Sequence, residues 1–185
     1  MVGRPEHSRN GYDRAVTAAA TRALELVARA GVVHRVHAYA SPDRHGRERD
    51  ERPSYGAEAA QALGVPPARV YKTLAVSIDG RLVLAVVPVD RDLDPKRLAD
   101  ACGGRRAVLA DPAAAERATG YVIGGISPLG SRRALPVVID TSALGHATVF
   151  VSAGRRGLQL ELAPGELVRL SSGRSAPIAR DEGQG

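Results

Sequence analysis

Aromatic side chains are scarce in this sequence: no tryptophan, one phenylalanine and five tyrosines among 185 residues. Proteins that grip single-stranded nucleic acid stack its bases on several exposed rings, so the composition disfavours that mode of binding. Cysteine is almost absent too. The single Cys102 can form no internal disulfide, which fits a reducing compartment. The five histidines, His7, His34, His37, His45 and His146, have no ligand spacing with one another or with Cys102. His34 and His37, three apart on a strand-like run, project to opposite faces. A site without metal is therefore expected. No apolar run is long enough to span a bilayer, because Arg22, Glu25 and Arg29 interrupt the alanine-rich stretch 15–33. The N-terminus lacks the apolar core of a signal peptide. The expected location is cytoplasmic, with no membrane partner.

Lysine is the remaining scarcity. Of 26 basic residues only Lys72 and Lys96 are lysines. Arginine and lysine differ in shape, hydration and proton affinity, so a lysine within an arginine-rich composition marks Lys72 for attention. Net charge is +6, which favours polyanionic partners. Part of the excess gathers at Arg132, Arg133, Arg155 and Arg156, opposed between residues 120 and 157 only by Asp140. These arginines read either as phosphate contacts or as solvated surface.

Residues 1–12 are polar and read as a flexible arm. Asp13 is a suitable cap for a helix carrying Val16, Ala20, Leu24 and Val27, with Gly31 as its stop. Residues 32–39 form a short strand pattern, and 41–53 form a loop carrying charges of both signs. A helix is expected over 54–63. Strands over 70–78 and 81–87 flank Asp79-Gly80, a hairpin signal because both turn residues tolerate positive φ. Asp94-Pro95 and Asp111-Pro112 each open a helix, with aspartate as cap and proline in the first turn. Strand patterns follow at 136–139, 148–152 and 158–162, then a short helix to Leu170. Residues 171–185 read as a frayed tail. The chain is expected to be one α/β domain over 13–170, with a mixed, partly closed, barrel-like sheet of six or seven strands surrounded by helices.

The chemistry concentrates in two segments. Gly120 through Gly130 (GYVIGGISPLG) is an apolar, glycine-rich loop able to present main-chain N–H groups to a ligand. Lys72 lies in the strand-like run VYKTL at 70–74, either as a pocket cation or as a strand lysine whose amine reaches water. Ser127 lacks a nucleophile elbow, because Pro128 follows it and Leu129 stands where a second glycine belongs. Pro128 also steers Ser127 from helical dihedrals. Phosphate-binding and dinucleotide-binding glycine signatures are absent, so no ATP or NAD cofactor is expected.

The VYKTL segment, the GYVIGGISPLG loop and VSAGRRG at 151–157 together resemble the YbaK/EbsC family over about residues 23–170. That family comprises stand-alone aminoacyl-tRNA deacylases related to the editing domain of bacterial prolyl-tRNA synthetases, and the resemblance is to its Cys-tRNA(Pro) deacylase branch. It implies a mixed barrel-like sheet and hydrolytic removal of a mischarged amino acid from tRNA, without a cofactor. It implies catalytic roles for Lys72, Gly124 and Gly125, with the two glycine N–H groups facing the ester carbonyl. Tyr39, Tyr55, Thr73, Ile126, Ser127, Pro128 and Ser152 would then line the substrate site, and Arg132, Arg133, Arg155 and Arg156 would meet tRNA. For a cysteinyl ester the substrate's own thiol would attack its carbonyl. A prolyl-tRNA synthetase partner is compatible with the resemblance. One position departs: where Cys-specific members carry aspartate after the Arg-Arg-Gly-Leu segment, this chain has Gln159. That leaves open a deacylase for alanine, serine or another small residue using water. A non-catalytic module binding tRNA or a synthetase is the other alternative.

Overall fold

The runs on either side of Asp79-Gly80 pair as the central hairpin of the molecule. Val70–Ile78 (β2) and Arg81–Pro88 (β3) are antiparallel, with Ile78 opposite Arg81 and Tyr71 opposite Pro88. The computed structural model describes residues 20–40 and 54–181. The expectations for the arm 1–12, for Asp13 and Val16, for the loop 41–53 and for residues 182–185 lie outside the described residues.

Helices begin where short polar side chains can satisfy free N–H groups. Thr21 caps Arg22–Arg29 (α1) and Ser54 caps Tyr55–Leu63 (α2). Asp94 caps Pro95–Ala101 (α3) and Asp111 caps Pro112–Thr119 (α4), each with proline in the first turn. Pro164–Ser171 forms α5. The remaining strands are His34–Ala38 (β1), Ala107–Leu109 (β4), Val137–Asp140 (β5), Val149–Ser152 (β6), Leu158–Leu162 (β7) and Arg174–Ala176 (β8).

The sheet has eight strands in the order β1-β7-β6-β2-β3-β5-β8, with β4 attached to β2. The β2–β6, β3–β5 and β5–β8 pairs are parallel and the others antiparallel. The mixed α/β architecture is the one expected, with two strands, β4 and β8, beyond the six segments read from sequence. β1 and β8 do not pair with one another among the described residues. The stretch after residue 171 corrects the reading of a frayed tail. β8 extends the sheet, Ile178 is fully buried, and the N–H groups of Ile178 and Ala179 donate to the Asp140 carboxylate at 2.8 and 2.7 Å. A buried carboxylate with several donors organises this end of the chain.

Both faces of the central strands are covered, which is why their sequences are near-continuous apolar runs. Tyr71 and Ala75 of β2, with Leu84 and Val86 of β3, face one core that includes Ile126, Leu129, Val151 and Leu160. Val76 and Ile78, with Val83, Ala85 and Val87, face a second core against Leu98 and Ile178.

The pairing of β2 is complete on one edge and interrupted on the other. β3 covers one edge throughout. On the opposite edge β6 pairs only with Val70 and Tyr71, and β4 only with residues 76–78. Between them lies a seam beside Lys72, Thr73 and Leu74. Alternation along the β2–β3 ladder directs the main-chain N–H and C=O of Thr73 away from β3 and into this seam.

Candidate functional site

The seam opens into a small cavity of about 60 Å³ lined by Tyr55, Gly56, Tyr71, Lys72, Thr73, Gly124, Ile126, Ser152 and Gln159. Three separate parts of the chain build it: the first turn of α2, the interrupted stretch of β2, and the glycine-rich loop backed by β6 and β7. Successive β2 residues face opposite ways, so Tyr71 and Thr73 approach from one side of the sheet and Lys72 from the other.

Lys72 is partly buried, with 23% of its side chain exposed, and its Nζ lies 3.6 Å from Oδ1 of Asp92. Asp92 is itself 79% exposed, and an ion pair so open to water constrains an ammonium only weakly. Two polar atoms of the lining are buried and make no hydrogen bond: Oγ1 of Thr73 and Oε1 of Gln159. Gln159 is only 7% exposed. Buried polar groups are nearly always partnered, and an unpartnered one costs about 1–3 kcal/mol. Two in one cavity leave hydrogen-bonding capacity there that an entering molecule, water included, can satisfy.

The glycine-rich loop is held at several points. Ser152 Oγ donates to the Gly125 carbonyl at 3.0 Å and accepts from Gly154 N–H at 3.2 Å. Arg156 donates twice to the Ile123 carbonyl, at 2.9 and 2.6 Å, and stacks 4.8 Å over the Tyr55 ring. At the loop's far end Arg22 donates to the Thr119 and Gly130 carbonyls, and the Tyr121 hydroxyl donates to Leu129. Gly124 has φ +83°, and a Cβ there would lie 2.5 Å from Tyr55 Cε2. Only glycine meets both demands.

Of the sequence candidates, Lys72, Thr73, Gly124, Ile126, Ser152 and Tyr55 meet at the cavity. Gly125 does not line it, and its N–H donates to the Val122 carbonyl at 2.9 Å. The expected pair of adjacent donors is thereby reduced, while the N–H groups of Gly124 and Ile126 have no hydrogen-bond partner among the described residues. Ser127 is fully buried, with Oγ accepting from Leu129 N–H at 3.2 Å, and Pro128 is buried beside it. Tyr39 packs with Ala59, Val70 and Phe150, outside the lining. Arg132, Arg133 and Arg155 are exposed, whereas the guanidinium of Arg156 is occupied as a loop clamp.

Sequence reasoning missed Gly56 and Tyr71 as lining residues. Strand alternation could have found Tyr71, which shares a face with Thr73. Its hydroxyl lies 2.9 Å from Ser142 Oγ, and burial raises its pKa against the lowering effect of that bond. The Arg22 and Arg156 clamps had no local signal, because their partners are distant in sequence.

Comparison with known proteins places this geometry in context. Residues 52–170 match the family described as "Aminoacyl-tRNA editing domain". The chain is 37% identical over 125 residues to the "Putative Cys-tRNA(Pro)/Cys-tRNA(Cys) deacylase EbsC" of Enterococcus faecalis, covering 66% of this chain and 76% of that protein. It is 35% identical over 104 residues to a proline–tRNA ligase of Moorella thermoacetica, a match spanning 56% of this chain and 18% of the ligase. The fold is shared with a crystal structure described as "a putative trans-editing enzyme for prolyl tRNA synthetase", with TM-score 0.73, 24% identity, and coverage of 86% of this chain and 96% of that one.

Proposed function

This chain belongs to the aminoacyl-tRNA editing domain family, and from that membership and the cavity we propose that it deacylates mischarged aminoacyl-tRNA, with Cys-tRNA(Pro) as the leading substrate. The observation that carries the reading is the meeting of Lys72, the Gly124 main chain and two unpartnered buried polar atoms in one small cavity.

An aminoacyl ester is already activated, so the site has to orient it and stabilise the charge that forms on its carbonyl oxygen. The N–H groups of Gly124 and Ile126 are the donors available for that oxyanion, and a well-placed donor is worth about 3–4 kcal/mol in the transition state. Lys72 sits where it can draw the ester's ribose or phosphate side against the seam. Thr73 Oγ1 and Gln159 Oε1 receive the hydrogen-bonding groups of the amino acid. With a cysteinyl ester the substrate thiol attacks its own carbonyl. The S–C bond forms, the ester C–O bond breaks, and the thiol proton passes to the departing ribose oxygen. Water then opens the cyclic thioester. The thiol is already tethered to that carbonyl, so the protein's share is to hold the reactive side-chain rotamer in line with it and to steady the oxyanion.

Gln159 favours a second reading. Its carboxamide is neutral, and its unpartnered oxygen is an acceptor suited to a small residue bearing a hydroxyl or ammonium donor. Alanyl or seryl esters hydrolysed by water then become the substrates. A panel of mischarged tRNAs, assayed with and without prolyl-tRNA synthetase, separates the two. Loss of cysteine alone supports the thiol route. Loss of alanine or serine supports water. Binding without cleavage of any ester overturns both.

A further inference from the structure

A second depression, which shares no lining residue with the cavity, lies on the face of β2 that carries Leu74 and Val76. Its volume is about 240 Å³, and Leu74, Val76, Leu93 and Leu109 make its floor and walls aliphatic. Asp92 and Arg180 bring one charge of each sign to the lining. The two belong to segments that meet at an isolated antiparallel bridge between Leu93 and Ala179. Arg180 N–H donates to the Asp92 carbonyl and Asp94 N–H to the Ile178 carbonyl, both at 2.8 Å, which fixes the main chain on each side of that bridge.

Opposite charges facing each other across neighbouring strands ordinarily pair. Here they do not. Asp92 turns Oδ1 toward Lys72 Nζ, at 3.6 Å, and the Arg180 guanidinium pairs with no carboxylate among the described residues. An anion and a cation thus stand roughly one cross-strand spacing apart, ~5 Å, at the edge of an aliphatic floor, without neutralising each other. A phosphate or a carboxylic acid matches only the cation, and an amine only the anion. A free α-amino acid carries both charges one carbon apart, with its side chain beside them. Leu109 is 69% exposed, so an aliphatic side chain laid over it removes apolar surface from water. The volume is that of a ligand of few atoms rather than of a drug-sized one.

We infer that this groove binds a free aliphatic amino acid, at a site separate from the cavity. The ligand's ammonium meets Asp92, its carboxylate meets the Arg180 guanidinium, and its side chain lies on Leu74, Val76 and Leu109. The ammonium then shares Asp92 with Lys72, so one carboxylate links occupancy of the groove to a residue of the cavity. The inference does not depend on which ester the cavity cleaves. Asp92 is 79% exposed, and water and salt screen its attraction for the ligand. A ligand of so few atoms is expected to bind at about 1 mM.

The test titrates the full chain with L-leucine and follows it by NMR. Backbone amide signals of residues 92–93, 107–109 and 180 are expected to move and saturate, together with the side-chain signal of Lys72. Isocaproate lacks the ammonium and isoamylamine lacks the carboxylate, and each should bind about tenfold more weakly, the loss of one charge-assisted bond. Glycine, without an aliphatic side chain, should leave the Leu109 signal in place. Asp92→Asn should erase both the preference for leucine over isocaproate and the shift at Lys72. Arg180→Gln should erase the preference for leucine over isoamylamine. Both residues are exposed, so the melting temperature of each variant should match the parent's. Leucine that moves none of these signals overturns the site, as does isocaproate or isoamylamine binding as tightly as leucine. No arm reads ester cleavage, so failure here leaves the deacylase reading standing, and failure of that reading leaves the groove.

Discussion

Lys72 lines the cavity and, among the described residues, is held only by an exposed carboxylate. Replacing it should therefore cost function and little stability. Lys72→Ala is expected to lower kcat/KM for deacylation by about 10²-fold or more, with a melting temperature close to that of the parent. Lys72→Arg should not restore full activity, since a planar guanidinium is not a compact ammonium. Ser127→Ala is the contrast. That hydroxyl is buried and spent on Leu129 N–H, so activity should largely survive and no acyl-enzyme should accumulate. A Ser127→Ala protein as inactive as Lys72→Ala would refute the proposed chemistry. Gln159 allows a sharper test. An unpartnered buried oxygen destabilises a fold, so Gln159→Leu should raise stability by about 1 kcal/mol while weakening discrimination among mischarged tRNAs. Thermal denaturation and the substrate panel read the two effects. A less stable variant with unaltered selectivity would show that Gln159 serves the core alone.

At the scale of elements, the glycine-rich loop is a rigid wall because arginines from elsewhere hold both ends. Gly124→Ala combines positive φ with a collision against Tyr55 and should displace the ring or the loop. Deacylation should fall at least as far as in Arg156→Ala, which only frees the Ile123 carbonyl and unstacks Tyr55. Ester-cleavage rates and Tyr55 ring resonances of the two variants check that order. The two Asp-Pro helices, the hairpin, Lys72 and this loop were legible in the sequence because each rests on local signals: aspartate caps with proline in the first turn, an Asp-Gly turn, a lone lysine and clustered glycines, whereas the helix expected to run through Ala20 begins only at Arg22, behind Thr21. β4 and β8 were not. Each is three residues long, too short for alternation to register, and each exists because a distant strand offers an edge. The dual use of Arg156 was hidden for the same reason, since only the folded chain brings Ile123 beneath it. Gln159 was visible as a departure, but its unpartnered state belongs to the assembled cavity.

Across the whole molecule, charge and burial set the response to salt and acid. RNA affinity supplied by exposed Arg132, Arg133 and Arg155 should fall steeply with ionic strength, and filter binding between low and moderate salt measures the slope. A flat profile would remove these arginines from the interface. Acid acts through Asp140. Burial favours its neutral form, but donors from Ser142, Ala179 and Ile178 outweigh that and hold its pKa below the ordinary 3.8. A depressed folded pKa means stability present above the ordinary value and lost as pH falls through the lower, folded one. Glu161, lowered mainly by Thr148 and His37 against the effect of burial, acts in the same direction. Asp140→Ala strands the Ile178 and Ala179 N–H groups and should cost about 3 kcal/mol. Denaturant melts near neutral pH measure that loss, and the acid-dependent part should shrink with it.

The interrupted edge of β2 has one more consequence. A central strand ordinarily shields its amides from solvent deuterium until much of the protein opens. Thr73, midway along such a strand with its N–H turned toward the seam, should instead take up deuterium on the timescale of a surface loop, while its neighbours Lys72 and Leu74, bonded to β3, remain protected. Slow exchange at Thr73 in the empty protein would mean that the breach in the ladder is closed in solution.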